Sequence, residues 1–183
     1  MMLERIRREH GYMMRLLAIL NKKLVALRNE QSVNYSLLKE VVDYLSNHSE
    51  KVHHPKEDIL YLYYQAHYKD IGTIKNLEQE HKDLSGLTDD FLNTIDMILQ
   101  DAVVPLDMFA DRLEEFITRQ KQHLEIEEKE ILPLIDKHFT HEDWKAVELQ
   151  WQAEDDDPVF GETIAERYKQ LAERVKASDL VEN

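Results

Sequence analysis

From Leu3 to Leu27 one side of the chain is spaced in unbroken steps of three and four: Leu3, Ile6, His10, Met13, Leu17, Leu20, Leu24 and Leu27. Such spacing lays a single stripe along a helix over residues 2–29, and a stripe that long is buried only against other helices. The same pattern returns at 73–101 as Ile74, Leu77, His81, Leu84, Thr88, Phe91, Ile95 and Ile98. It returns again at 105–137 as Leu106, Phe109, Leu113, Phe116, Gln120, His123, Glu127, Glu130 and Leu134. Gly and Pro number only four each, so few breaks separate these segments. The chain is therefore expected to be all-α, an up-down-up-down four-helix bundle over residues 1–137 with additional C-terminal helices at 138–183.

The second helix is less regular. It starts near Asn34 with Leu38, Val41 and Leu45, and its stripe resumes as His53, Glu57, Leu60 and Tyr64. The step across Ser49 is irregular and Pro55 lies just beyond it. Proline inside a helix lacks a donor and collides with the carbonyl four residues back, so a kink or bulge is expected near 49–55. The signal fades at Ala66 to Asp70, and Gly72 marks the break. Pro105 reads as the first residue of the fourth helix. Downstream, Thr140 with Asp143 reads as a capping box for a short helix carrying Trp144, Val147 and Trp151. The run 154-EDDDP-158 reads as a loop. A last helix at 162–176 presents Ile164, Tyr168, Leu171 and Val175 on one face, to pack on the bundle or on a second copy.

Composition narrows the function. There is no cysteine, which excludes disulfides, thiolate catalysis and iron–sulfur clusters. A formal charge of −14 argues against nucleic-acid binding, which needs clustered Lys and Arg. No apolar run approaches the roughly 18 residues of a membrane span. The opening MMLERIRREHGY has no apolar core of a secretory signal, so a cytoplasmic location is expected.

The histidines carry the chemistry. Counted at 1.5 Å per residue from the shared turns, His10 and His53 both stand ~28 Å from the turn joining their helices. Glu57 and His81 match in the same way, and so do His81 and His123. All four helices thus bring polar stripe residues to one level. His53 with Glu57, and His123 with Glu127, are i,i+4 pairs that stack an imidazole and a carboxylate on one face. Carboxylates and imidazoles converging in an apolar core are most simply explained by cations between them, and nitrogen with oxygen donors suits iron, manganese or zinc. A dinuclear site is natural because carboxylates bridge. The ferritin-like arrangement of Glu-x-x-His on two helices fits poorly, since the first helix offers His10 where that scheme uses a glutamate. His48, His67, His138 and His141 lack this context and are expected at the surface. Tyr12, Tyr61 and Tyr64 are expected to pack and not to act as redox groups, with a supporting role behind the ligands left open.

Glu9-His10, 53-HHPKEDILY-61, Glu80-His81 and 123-HLEIEEKEILP-133 together resemble the hemerythrin-like, or HHE cation-binding, family over about residues 1–137. The resemblance implies a non-haem di-iron centre with His10, His53, Glu57, His81, His123 and Glu127 as ligands. A bulge at Pro55 could turn either His53 or His54 inward, and His54 forms a second i,i+4 pair with Asp58. The oxygen-carrying members resemble His-x-x-x-His on the third helix and His-x-x-x-x-Asp on the fourth. Here Ser85 stands four residues after His81, and Glu127 four after His123. These departures point away from simple oxygen carriage. They leave binding, sensing or detoxification of a small diatomic or peroxide ligand (oxygen, nitric oxide or peroxide), or iron handling, and leave a homodimer open. The alternative is a metal-free or zinc-stabilised helical interaction module.

Overall fold

The computed structural model describes residues 2–68, 74–151, 157–160 and 168–181, all of them helix or connecting turn. Helix α1 spans Met2–Arg28. Helix α2, Tyr35–Tyr44, runs without a break through a π-helical segment, Leu45–His53, into α3, His54–His67. Helix α4, Leu77–Leu99, follows a 3₁₀ turn at Ile74–Asn76. Helix α5, Leu106–Ile126, runs through a second π segment, Glu127–Ile131, into α6, Leu132–His138. Helices α7, His141–Gln150, and α8, Lys169–Val181, complete the chain.

The first four rods form an antiparallel bundle, and side-chain pairs record the direction of each neighbour. Glu9 meets His53 while Met13 meets Ser49. Thr94 meets Arg112 while His81 meets His123. His10, early in α1, meets Glu128, whereas Arg28 at its end meets Asp111 and Glu114 at the start of α5. The turns after α1 and α4 close in the same manner. Glu30 and Asp101 adopt positive φ, of 55° and 63°. Gln31 N–H reaches back to Ala26 and Ala102 N–H to Met97, covering carbonyls that the helix ends would leave bare.

Both π segments end at a proline, and the coincidence has a steric reason. His54 N–H bonds to Ser49 O and Leu132 N–H to Glu127 O, five residues back rather than four. The widened turn carries the upstream carbonyls away from the rings of Pro55 and Pro133, which then sit in the first turn of α3 and of α6, where no donor is needed. The bulge expected near 49–55 thus occupies 45–53. The one at 127–131 was not expected, and it corrects the reading of the fourth helix. One extra residue per turn slips the stripe, so Ile131 and Ile135 are buried while Glu130 is exposed and Leu134 half-buried. Pro105 caps α5 from outside rather than opening it.

The apolar interior falls into two clusters. One gathers Met13, Leu20, Leu38, Val41, Phe91, Phe109, Leu113 and Phe116 around the middle of the bundle. The other gathers Met2, Ile6, Leu60, Tyr64, Leu77, Ile131 and Ile135 at the end nearest the N-terminus. Between them lies the polar layer. The expected capping box at Thr140 and Asp143 is present, and α7 closes the second cluster with Val147. Helix α8 closes the first with Tyr168, Leu171 and Val175, and Leu171 N–H and Tyr168 O–H bond to Glu40 and Asp43 of α2. Gly72, most of 154-EDDDP-158 and Ile164 lie outside the described residues. Among the described residues no helix is long and apolar enough to cross a membrane.

Candidate metal centre

Each rod of the bundle delivers its stripe residues to the polar layer. From α1 comes His10, from the end of the first π segment His53, and from the first turn of α3 His54 and Glu57. From α4 comes His81, and from α5 and the second π segment His123 and Glu127. All seven side chains are buried, none more than 4 % exposed. The structure brings together every residue the sequence singled out, and it turns both His53 and His54 inward. The wide turns of the π segment make this possible, because they swing two consecutive residues onto neighbouring parts of the inner face.

Six of the seven side chains form two overlapping groups, with Glu127 beside them. His10, His53 and Glu57 offer ligand atoms that lie within 4.8 Å of one another, and so do His54, Glu57, His81 and His123. Glu57 belongs to both. Its Oε1 is 2.9 Å from His10 Nε2 and 3.2 Å from His53 Nε2, while its Oε2 is 3.7 Å from His81 Nε2. Glu127 straddles the groups as well: Oε2 is 3.5 Å from His10 Nε2 and 3.3 Å from His123 Nε2, and Oε1 is 3.4 Å from His81 Nε2. His81 Nε2 and His123 Nε2 face each other at 3.1 Å.

The outer ring nitrogens face a second set of acids. His10 Nδ1 is 2.7 Å from Glu128, His53 Nδ1 2.6 Å from Glu9, His54 Nδ1 2.9 Å from Glu50 and His81 Nδ1 2.8 Å from Asp58. His123 Nδ1 stands further off, 3.7 Å from Glu80. An acid behind a histidine fixes its tautomer and points the other nitrogen at the centre, an arrangement common behind metal-ligating histidines. Glu9 is held in turn by Arg5 at 2.8 Å. Sequence reasoning missed this outer set except for Asp58, which it paired with His54; Asp58 instead meets His81, and His54 faces Glu50 on its own rod. Adjacent placement of Glu9 before His10 and Glu80 before His81 was the visible signal, but each acid serves a histidine on another rod.

The charges explain why the layer can exist. Burial disfavours a charged His10, but hydrogen bonds to Glu128 and Glu57 outweigh it and hold its pKa at about 10. Burial also opposes a charged His81, and bonds to Asp58 and Glu127 hold it at about 10. Burial and the Glu57 charge would raise Glu127, but His123, His81 and His10 hold it at about 2. Burial pushes His54 down, towards the neutral form.

A cation between these atoms would complete them. His53 Nε2, Glu57 Oε2 and Glu127 Oε2 are buried with no hydrogen-bond partner. Native proteins rarely leave such groups unsatisfied without a reason such as an ion or water. All three point into the two groups, and imidazole with carboxylate is a donor set for first-row transition metals. Tyr61 adds a phenol, whose O–H donates to Glu127 Oε1 at 2.7 Å. It does more than pack; Tyr64, in the apolar cluster, sets its hydroxyl 2.5 Å from His138 Nδ1, and Tyr12 stacks on Phe160.

Among the remaining histidines, His67, His138 and His141 are exposed as expected. His48 is not: it is 8 % exposed, stacked on Tyr44 with Nε2 3.2 Å from Asp157. It lies in the π segment, whose turns defeat a count based on 3.6 residues, and the turn at 157–160 covers it.

Residues 1–135 fit the profile of the family described as Hemerythrin HHE cation binding domain. No curated protein and no solved structure matches the chain.

Proposed function

The chain belongs to the hemerythrin HHE cation-binding family, and from that premise we propose that it is a non-haem di-iron protein that binds and reduces a small oxidant such as oxygen, peroxide or nitric oxide. The observation that carries this reading is the pair of overlapping ligand groups sharing Glu57. Two cations fit this arrangement better than one, because each carboxylate presents an oxygen to both sides. His10 and His53 would hold one ion and His54, His81 and His123 the other, with Glu57 and Glu127 bridging.

Bound there, two iron ions supply exchangeable electrons and Lewis acidity to a small oxidant. The chain's own residues supply the rest. Two apolar clusters above and below the layer close its two ends to bulk water. Unequal nitrogen counts, two against three, leave the His10–His53 side with fewer protein donors. Tyr61 keeps its proton, because burial and the neighbouring Glu127 and Glu57 charges push its pKa well above the usual phenol value. It therefore serves as a fixed hydrogen-bond donor that holds Glu127 in place.

The test is to load the chain anaerobically with ferrous iron and to mix it with oxygen, hydrogen peroxide and nitric oxide in turn, following the near-ultraviolet and visible spectrum. A new absorption band with at least one of the three is expected. A spectrum that stays flat with all three, with iron still bound, would contradict the oxidant reading. Zinc alone, tightly held, would favour the stabilised-module alternative.

A further inference from the structure

Behind His54 lies a group of polar side chains that the metal centre itself does not use. Glu50, Thr88 and Gln120 are all buried, on the first π segment, α4 and α5. Gln120 Nε2 donates to Glu50 Oε1 at 3.0 Å and to Thr88 Oγ1 at 3.1 Å, and the single Thr88 hydroxyl proton is shared between Glu50 Oε1 at 3.0 Å and Leu84 O at 2.8 Å. The second oxygen, Oε2, stands 2.9 Å from His54 Nδ1. On its other side the His54 ring lies flat against His81, with centroids 4.1 Å apart and planes 2° from parallel.

We infer that Glu50, clamped by Thr88 and Gln120, is the positioning residue that makes His54 the third nitrogen donor of the second cation position, in place of the histidine that α4 lacks at Ser85. This rests on the cation-binding reading above. The geometry gives the clamp its direction. With Nδ1 turned to Glu50, Nε2 is the atom left to join Glu57, His81 and His123. The Gln120 donor on Oε1, with Thr88 beside it, restrains rotation of the carboxylate and keeps Oε2 toward the imidazole. An ionised acid on Nδ1 raises the basicity of the opposite nitrogen and fixes the tautomer a metal requires. Three polar residues in an interior built of Leu and Phe are costly unless satisfied; Gln120 and Thr88 cover Glu50 Oε1, while Oε2 has no hydrogen-bond partner and faces His54 Nδ1 at 2.9 Å.

Cobalt(II) titration of the full chain, stripped beforehand with chelator, tests the inference. Wild type should take two ions. Glu50→Gln should keep one at unchanged affinity and bind the other about 10–100-fold more weakly, the usual penalty for losing an acid behind a ligating histidine. His54→Ala should weaken the same ion. The double variant should match His54→Ala within about twofold, because residues acting through one another do not add. A merely structural role would weaken both ions and would add. Gln120→Met is the companion variant should Glu50→Gln fold poorly; it keeps the acid but loosens it, and a several-fold loss confined to the same ion is expected. A two-cobalt wild type with Glu50→Gln or Gln120→Met indistinguishable from it overturns this inference alone, as does a double variant ten-fold weaker than His54→Ala. A wild type that takes no cobalt overturns the metal reading and this inference with it.

Discussion

Replacing Glu57 with glutamine is expected to cost the chain both cations, whereas replacing His10 with alanine costs one. Glu57 is the residue common to both ligand groups, with one oxygen toward His10 and His53 and the other toward His81. Its amide counterpart keeps the shape and loses the charge. Removing one partner from a buried ionic contact costs about 3–5 kcal/mol, which is on the order of 10² to several 10³-fold in a dissociation constant. His10 contributes its Nε2 to one group only, so its loss leaves His54, His81 and His123 intact. Calorimetric titration with zinc resolves the two cases. A Glu57→Gln chain that still binds one ion at wild-type affinity would show that the groups are independent and that the bridging assignment is wrong.

The second large effect is in pH. In a chain stripped with chelator, His10 and His81 hold protons with pKa values of about 10 against an ordinary 6.5. Stability from a raised pKa is fully present below the unfolded value and is lost as pH rises through the folded one. Glu9 and Glu127, held at about 2 against an ordinary 4.5, act in the opposite sense. Their contribution is present above the ordinary value and is lost as pH falls through about 2. The stripped chain should therefore be most stable between about pH 4.5 and 6.5, weakening toward pH 10 by several kcal/mol in order of magnitude. Cations compete with the same protons, so the loaded chain gains where the stripped chain loses. Thermal unfolding at pH 6 and pH 9 should show the gap in Tm between the two forms widening with pH. Parallel profiles would mean that the histidine protons and the cations occupy different places.

The sequence made the bundle and its inner layer legible for one reason: a regular α-helix keeps its count. His10, His81 and His123 could be aligned across three rods because α1, α4 and α5 carry an unbroken stripe to those points. Where the count fails, the reading fails with it. The first π segment buried His48 and turned His53 and His54 inward together, and the irregular step across Ser49 with Pro55 gave only its neighbourhood. The second moved burial from Glu130 and Leu134 to Ile131 and Ile135, although Pro133 gave the same hint. The outer acids were hidden for a different reason. Glu9 serves His53 and Glu128 serves His10, each across a gap between rods, and no spacing within one helix encodes which rod lies opposite. Thr88 and Gln120 stood in the stripe as polar exceptions. Their shared partner, Glu50, lies in the π segment, where the stripe could not be followed.

The most direct test is the count of ions. Chelator-stripped chain, titrated anaerobically with ferrous iron, should take up two ions per chain and no more, and His81→Ala or Glu127→Ala should lower that number. Uptake below one ion per chain, or uptake that neither substitution changes, would contradict the assignment of the buried histidine–carboxylate layer as a dinuclear centre.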